Sequence, residues 1–294
     1  MINSKCIRVN AAGFRWWTTA TCLCVLLPIF SVRTNAAGLV DLANPLQGTD
    51  SRDGFSHGNT YPEIALPFPE NTWSPYTKPQ PQSAFYEYQD NQFYGIRQSH
   101  EPSIWIRDHG EFAMMPVSGK LAVTEKDRVS TFEHTNEIAQ PSYYKVDLDT
   151  WKVTAEVTPT ERAARFRFTF HQPADASYVV IDAFKSDIPS SIEIIPSKNE
   201  IIGVARDNSG VVPDNFGSHF VIVFDRPFTA YGVWSNDVVQ AGGTRLEGKH
   251  VGAYVKFDTS ANPVVECKAA SSYISSEQAE LNLQQEIGNA DFAT

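Results

Sequence analysis

The sequence predicts an all-β protein, an antiparallel β-sandwich with long N-terminal loops and one C-terminal helix. Three observations carry this expectation. Short apolar runs with a period of two fill most of the chain from Phe112 onward, turn-forming clusters separate them, and no amphipathic helix is interleaved among them. The 294 residues leave ample room for a filled core, and a composition of 20% charged and 12% aromatic residues excludes a disordered chain.

Residues 1–36 differ in kind from the rest. The basic residues Lys5, Arg8 and Arg15 precede an apolar run over residues 16–32, and small residues around Asn35 and Ala36 follow at the spacing of a cleavage site, which is the pattern of a signal peptide. The other reading is an uncleaved membrane anchor, because the run is close to the minimum spanning length; Thr18, Thr19, Thr21 and Pro28 dilute it. Cleavage makes the product secreted and extracellular. It also removes four basic residues and no acidic ones, taking the formal net charge from −10 to −14 and arguing against nucleic acid as a partner. Cys6, Cys22 and Cys24 leave with the leader, so Cys267 has no partner for a disulfide within the mature chain.

From about residue 39 to 81 the chain is rich in Pro, Gly, Asn, Asp and Thr, which favours irregular loops over long regular elements. Beyond it, Trp151, Val153, Ala155 and Val157 alternate with polar residues, and Phe166, Phe168 and Phe170 alternate with Arg165, Arg167 and Thr169; both patterns predict half-buried strands. Further strands are predicted at residues 178–184, 192–195, 201–205, 219–225, 229–233, 251–257 and 264–269. Last comes the helix. Ser275 with Gln278 fits a capping box, Ala279, Leu283 and Ile287 recur every four residues, and Gly288 supplies a stop. Its apolar face needs a surface to lie against, either the sandwich or a helical domain beginning here.

No His-x-x-x-His spacing, nucleophile elbow or phosphate-binding glycine loop occurs, so a dedicated zinc site and those two chemistries are not indicated. Sugars present apolar ring faces to aromatic side chains and hydroxyl edges to carboxylates, amides and Arg. Two segments combine both types: His57-Gly58-Asn59-Thr60-Tyr61 through Trp73, and the denser stretch from His100 to Gly110 containing Trp105, Arg107, Asp108 and His109. Each residue also has a plainer reading. Trp105, between Ile104 and Ile106, fits a core position as well as a presented one; Asp108 fits a simple ion pair with Arg107; Trp73 and Tyr61 fit structural roles, and His57 a turn.

Asn44-Pro45-Leu46-Gln47-Gly48-Thr49-Asp50, Gly58-Asn59-Thr60-Tyr61-Pro62 and Ala65-Leu66-Pro67-Phe68 resemble the opening signature of glycoside hydrolase family 92. Trp105 through Gly110, Asn136-Glu137-Ile138-Ala139, Tyr143-Tyr144-Lys145-Val146, Thr158-Pro159-Thr160-Glu161-Arg162, Phe224-Asp225-Arg226-Pro227-Phe228 and Tyr273-Ile274-Ser275 follow in the family's order, so the resemblance runs from about residue 39 to 288. It implies calcium-dependent, inverting exo-α-mannosidases, built from an N-terminal sandwich of the supersandwich type, a helical stretch and a C-terminal (α/α)6 barrel that supplies the catalytic acid, the base and the calcium ligands. On this reading residues 1–36 are the signal peptide, 37–272 the sandwich domain and 273–294 the start of a helical linker toward a barrel that would follow residue 294.

By the same resemblance Trp105 and Asp108 belong to a loop that reaches toward the barrel and helps to line the sugar pocket, with His57 and Asn59 as further substrate-binding candidates; no catalytic or metal-ligating residue is assigned to this chain. The expected partners are mannose-containing glycans and a catalytic (α/α)6 domain in cis or on another chain, with no nucleic acid and no membrane after cleavage. The chain alone is expected to be inactive. The alternatives are a free-standing carbohydrate-binding module or an inactive remnant. Pro69-Glu70 stands where the family commonly has Gly-Met, and His109 where it usually has Tyr, which bears on linkage preference.

Overall fold

Alternation builds the strands, and burial confirms it. In the strand Ala163–Phe170, the side chains of Phe166, Phe168 and Phe170 are wholly buried while Arg165, Arg167 and Thr169 between them reach solvent. Burying each such ring is worth about 2 kcal/mol, and a register slip of one residue would expose all of them. The computed structural model describes residues 38–51, 60–79, 86–100, 111–207, 212, 213 and 215–293.

Among the described residues the strands form two large antiparallel sheets and a short ribbon. The seven-stranded sheet runs, in spatial order, Thr72–Tyr76, Gly95–Ser99, Ala113–Ser118, Ser177–Asp182, Val251–Phe257, Ala230–Ser235 and Val238–Ala241. The nine-stranded sheet runs Arg245–Gly248, Ser190–Ile195, Glu200–Ala205, Ser218–Phe224, Val264–Ser272, Ala163–Phe170, Val153–Pro159, Tyr143–Leu148 and Glu137–Gln140. Gln92–Phe93 pairs with Ser130–Thr131 as the ribbon. One apolar core joins the two sheets. Trp73 meets Phe166 edge-on at 5.0 Å and Phe112 stacks on Phe220 at 4.4 Å, each pair bridging the layers.

The predicted fold class is the one observed, with local differences that have physical causes. Thr72–Tyr76 is a strand inside the loop-rich region, and all five residues are buried, so it shows no alternation to read. Its Pro75 is tolerated because the strand lies at the edge of its sheet, where one row of backbone groups needs no partner strand. Trp151 is not a strand residue: Lys152, at φ 53°, turns the chain, and the strand starts at Val153. The Trp151 ring is buried nonetheless, and its indole N–H donates to the Arg128 carbonyl at 2.7 Å. A one-turn helix at Glu125–Arg128, which no periodicity announced, carries Arg128 into the core.

The C-terminal helix, Ser276–Glu286, lies on the outer face of the nine-stranded sheet. Ala279, Leu283 and Ile287 pack on Ala163, Val221 and Ala270. Ser275 caps it as expected, its hydroxyl accepting from the Gln278 N–H at 3.2 Å, and Gly288 ends it at φ 51°. Only half of the capping box forms, because the Gln278 amide turns instead to Asn282 at 3.0 Å.

Candidate functional site

Trp105, Asp108, His57 and Asn59 lie outside the described residues, and what is described is the frame that carries their segments. Residues 101–110 connect the neighbouring strands Gly95–Ser99 and Ala113–Ser118, which pair at Ile96 with Met114 and at Arg97 with Ala113. The Gln98 N–H donates to the Phe112 carbonyl at 2.9 Å, so both ends of the segment leave from one ladder. On these two chain ends Arg97 and Glu111 form an ion pair with only 5% and 0% of their side chains exposed. The Arg97 guanidinium also lies 4.6 Å from the centre of the Phe184 ring. A pair this buried holds both strand ends, since separating it would strand a charge in the core.

The described residues that flank 52–59 in sequence reach the same strand end. Tyr61, just after that segment, is buried and its hydroxyl stands 3.0 Å from the Ser99 hydroxyl, at the last residue of the strand before the other segment. The Thr72 hydroxyl donates to the Ser99 carbonyl at 3.3 Å. On the incoming side Gly48 is required: at φ 87° it packs so closely that a Cβ would come within 2.8 Å of Thr60 Oγ1. The two sugar-type segments of the sequence are therefore rooted side by side. Tyr61 and Trp73 themselves are buried and structural.

His100 closes the frame. Its Nδ1 lies 3.3 Å from the Glu70 carbonyl and its Nε2 3.3 Å from Ser218 Oγ. A carbonyl only accepts, so Nδ1 donates, and in the neutral ring Nε2 accepts the Ser218 hydroxyl proton. The ring also meets Tyr273 at 5.0 Å, and Tyr273 stacks on Phe216 at 4.9 Å. Burial raises the Glu70 carboxyl above its ordinary range, against the lowering pull of His100 and Arg162.

Below these residues a buried polar chain ties the layers together. Gln98 donates to Ser271 Oγ at 3.0 Å, Ser271 donates to Asn71 Oδ1 at 2.9 Å, Asn71 donates to the Arg162 carbonyl at 2.6 Å, and Asn282 of the helix donates to the Ser271 carbonyl at 2.9 Å. No sequence pattern points to Ser99, Glu111, Asn71 or Ser271. Their partners are separated by as many as 200 residues, and no local pattern signals such a bond.

Other motif segments prove structural. Glu137 accepts from Tyr86 at 2.8 Å and Tyr144 at 2.7 Å and lies 2.7 Å from His134 Nδ1, pinning the edge strand Glu137–Gln140 to its neighbour. Glu286 of the helix takes Thr160 Oγ1 at 2.6 Å, the Arg162 N–H at 2.8 Å and the Arg162 guanidinium at 2.7 Å. Among the described residues no group of three or more His, Cys, Asp or Glu side chains is placed to hold a metal ion.

The family model for the glycosyl hydrolase family 92 N-terminal domain matches residues 42–272. The solved structure of the family 92 inverting mannosidase BT2199 from Bacteroides thetaiotaomicron VPI-5482 is similar at 39% identity and a TM-score of 0.81, covering 87% of this chain and 35% of that one. The family 92 α-mannosidase BT3965 of Bacteroides thetaiotaomicron is similar at 25% identity and a TM-score of 0.73, covering 88% of this chain and 36% of that one. The family 92 glycosyl hydrolase ccman5, at 20% identity and a TM-score of 0.70, shares the fold over 86% of this chain and 35% of its own. The chain thus spans about a third of the length of these relatives. No curated protein matches it.

Proposed function

The chain belongs to the glycosyl hydrolase family 92 N-terminal domain family, and from that premise we propose that it is the sugar-binding domain of a secreted α-mannosidase, completing a mannose pocket together with a catalytic (α/α)6 domain. The observation that most supports this reading is the hydrogen bond between Tyr61 and Ser99, which brings the roots of the two sugar-type segments to one end of the sandwich. In this reading Trp105 stacks on a sugar ring and Asp108 accepts from its hydroxyls, while His57 and Asn59 contribute from the neighbouring segment. The apolar run over residues 16–32 supports export.

Inversion at a glycosidic carbon needs an acid and a base on opposite faces of the sugar, roughly 6.5–9.5 Å apart with a water between. This domain's share is to bind and orient the mannoside. The described residues offer no ligand set that fits calcium, so no step is assigned to a metal in this chain.

Two measurements test the proposal. The purified chain is expected to release no mannose from α-1,2-mannobiose, and release by contaminant-free protein would overturn it. A chimera joining this chain to the remaining two thirds of BT2199 is expected to hydrolyse the disaccharide, and Trp105→Ala in that chimera to lower kcat/KM by about tenfold or more, the loss of one contact worth about 1.4 kcal/mol. A folded, active chimera indifferent to both Trp105→Ala and Asp108→Ala would sink the assignment of the pocket.

A further inference from the structure

A cleft of about 370 Å³ opens between the turn at residues 43–47, the run at residues 60–63 and Pro141. Its size falls at the low end of the roughly 300–1,000 Å³ range of small-molecule sites, enough for one or two sugar rings. Asn44, Gln47 and Thr60 are exposed to it and offer two amides and a hydroxyl, groups that both donate and accept. Glu63 adds a carboxylate, and Pro45 and Pro141 add flat apolar faces.

The walls are held in place before any ligand arrives. Asn44 Oδ1 accepts from the Leu46 N–H at 3.0 Å, the Gln47 N–H donates to the Asn44 carbonyl at 3.1 Å, and Thr49 Oγ1 donates to the Leu46 carbonyl at 2.8 Å, which fixes the turn. The Ala65 N–H donates to the Pro141 carbonyl at 2.7 Å, fixing the opposite wall. A rigid site loses less entropy on binding than a flexible one.

The lining selects a class of ligand. Among the described lining residues, amides, a hydroxyl and a carboxylate stand beside apolar proline faces, a mixture that suits a ligand carrying both hydroxyl edges and a carbon face. A polyhydroxylated ring satisfies both halves of the lining, its hydroxyls on Asn44, Gln47 and Thr60 and its carbon face on a proline. We propose that this cleft is a pyranoside subsite in its own right, made without Trp105 or Asp108, which holds a further residue of a mannose glycan. The choice of mannose rests on the function proposed above; the site rests on the lining alone.

Calorimetric titration of the full chain with α-1,2-mannotriose tests this, alongside three variants. Thr60→Val and Gln47→Ala are surface changes that leave the melting temperature in place, and each is expected to weaken binding about 5- to 10-fold, the loss of one hydrogen bond. Trp105→Ala is expected to leave binding measurable. Three results would overturn the subsite: no heat from the wild type at millimolar sugar, both cleft variants within about twofold of wild type, or binding abolished by Trp105→Ala alone. The first and third leave the reading of the Trp105 loop standing, so the two proposals fail separately.

Discussion

The Tyr61 hydroxyl stands 3.0 Å from the Ser99 hydroxyl across 38 residues of sequence, buried at both ends. Removing either group leaves the other without this partner, so Tyr61→Phe and Ser99→Ala are each expected to lower stability by about 1 kcal/mol. Because both remove the same bond, the double variant is expected to lose little more than either single one. Urea unfolding of the four proteins checks this, and additive losses would show that the two hydroxyls act independently.

Arg97 and Glu111 form a deeply buried ion pair on the chain ends that flank residues 101–110, and the charge left behind decides the cost of breaking it. Glu111→Ala is expected to destabilise the domain by about 3–5 kcal/mol. The double replacement Arg97→Met with Glu111→Leu removes both charges and is expected to recover most of that loss, read as the denaturant midpoint.

Arg128, Asp182 and His250 make stability depend on pH at both ends of the scale. Burial opposes ionisation of Asp182, but the Arg128 guanidinium at 2.7 Å, and then His250 at 3.0 Å, outweigh it and lower its pKa from 3.8 to about 2. A depressed carboxyl contributes stability that is present above pH 3.8 and is lost as pH falls toward 2, on the order of 2 kcal/mol in all. Burial likewise opposes the charge on His250, but the hydrogen bond to Asp182 raises its pKa above 6.5. Its contribution is therefore complete below pH 6.5 and lost as pH rises through the raised value. His250→Gln is expected to flatten the alkaline side of a stability–pH curve and to shrink, without abolishing, the acid limb, which Arg128 still maintains; an unchanged alkaline slope would refute the role of His250.

Phe68 is 98% exposed at φ 61°, a left-handed conformation that strains any residue with a Cβ. Its ring buries almost nothing, so Phe68→Gly relieves strain without losing packing. The added freedom of glycine in the unfolded chain offsets part of the gain, and the variant is expected to be as stable as the parent or up to about 1 kcal/mol more so. A fall in melting temperature would show that the ring has a contact its exposure does not suggest.

Much of the fold was legible in the chain itself. The alternation of Phe166, Phe168 and Phe170 with Arg165, Arg167 and Thr169 marked a strand, and Ser275 and Gly288 marked the ends of the helix, because backbone sterics and capping act within a few residues. Ordered motifs between residues 39 and 288 carried the family resemblance, which the match over residues 42–272 bears out. The strand Thr72–Tyr76 carries no alternation because it is buried on both faces, and Trp151 lies outside its apparent strand because a turn at Lys152 breaks a pattern that is continuous in sequence.

Only the tertiary structure decided where the helix lies and which side chains support the candidate site. The apolar stripe of Ala279, Leu283 and Ile287 required a surface but did not name one; the outer face of the nine-stranded sheet supplied it through Ala163, Val221 and Ala270. The bonds from Tyr61 to Ser99 and from Asn71 to Ser271 depend on the register of strands and the stacking of two sheets. Those are set by the summed burial of the whole core, which no single stretch of sequence contains.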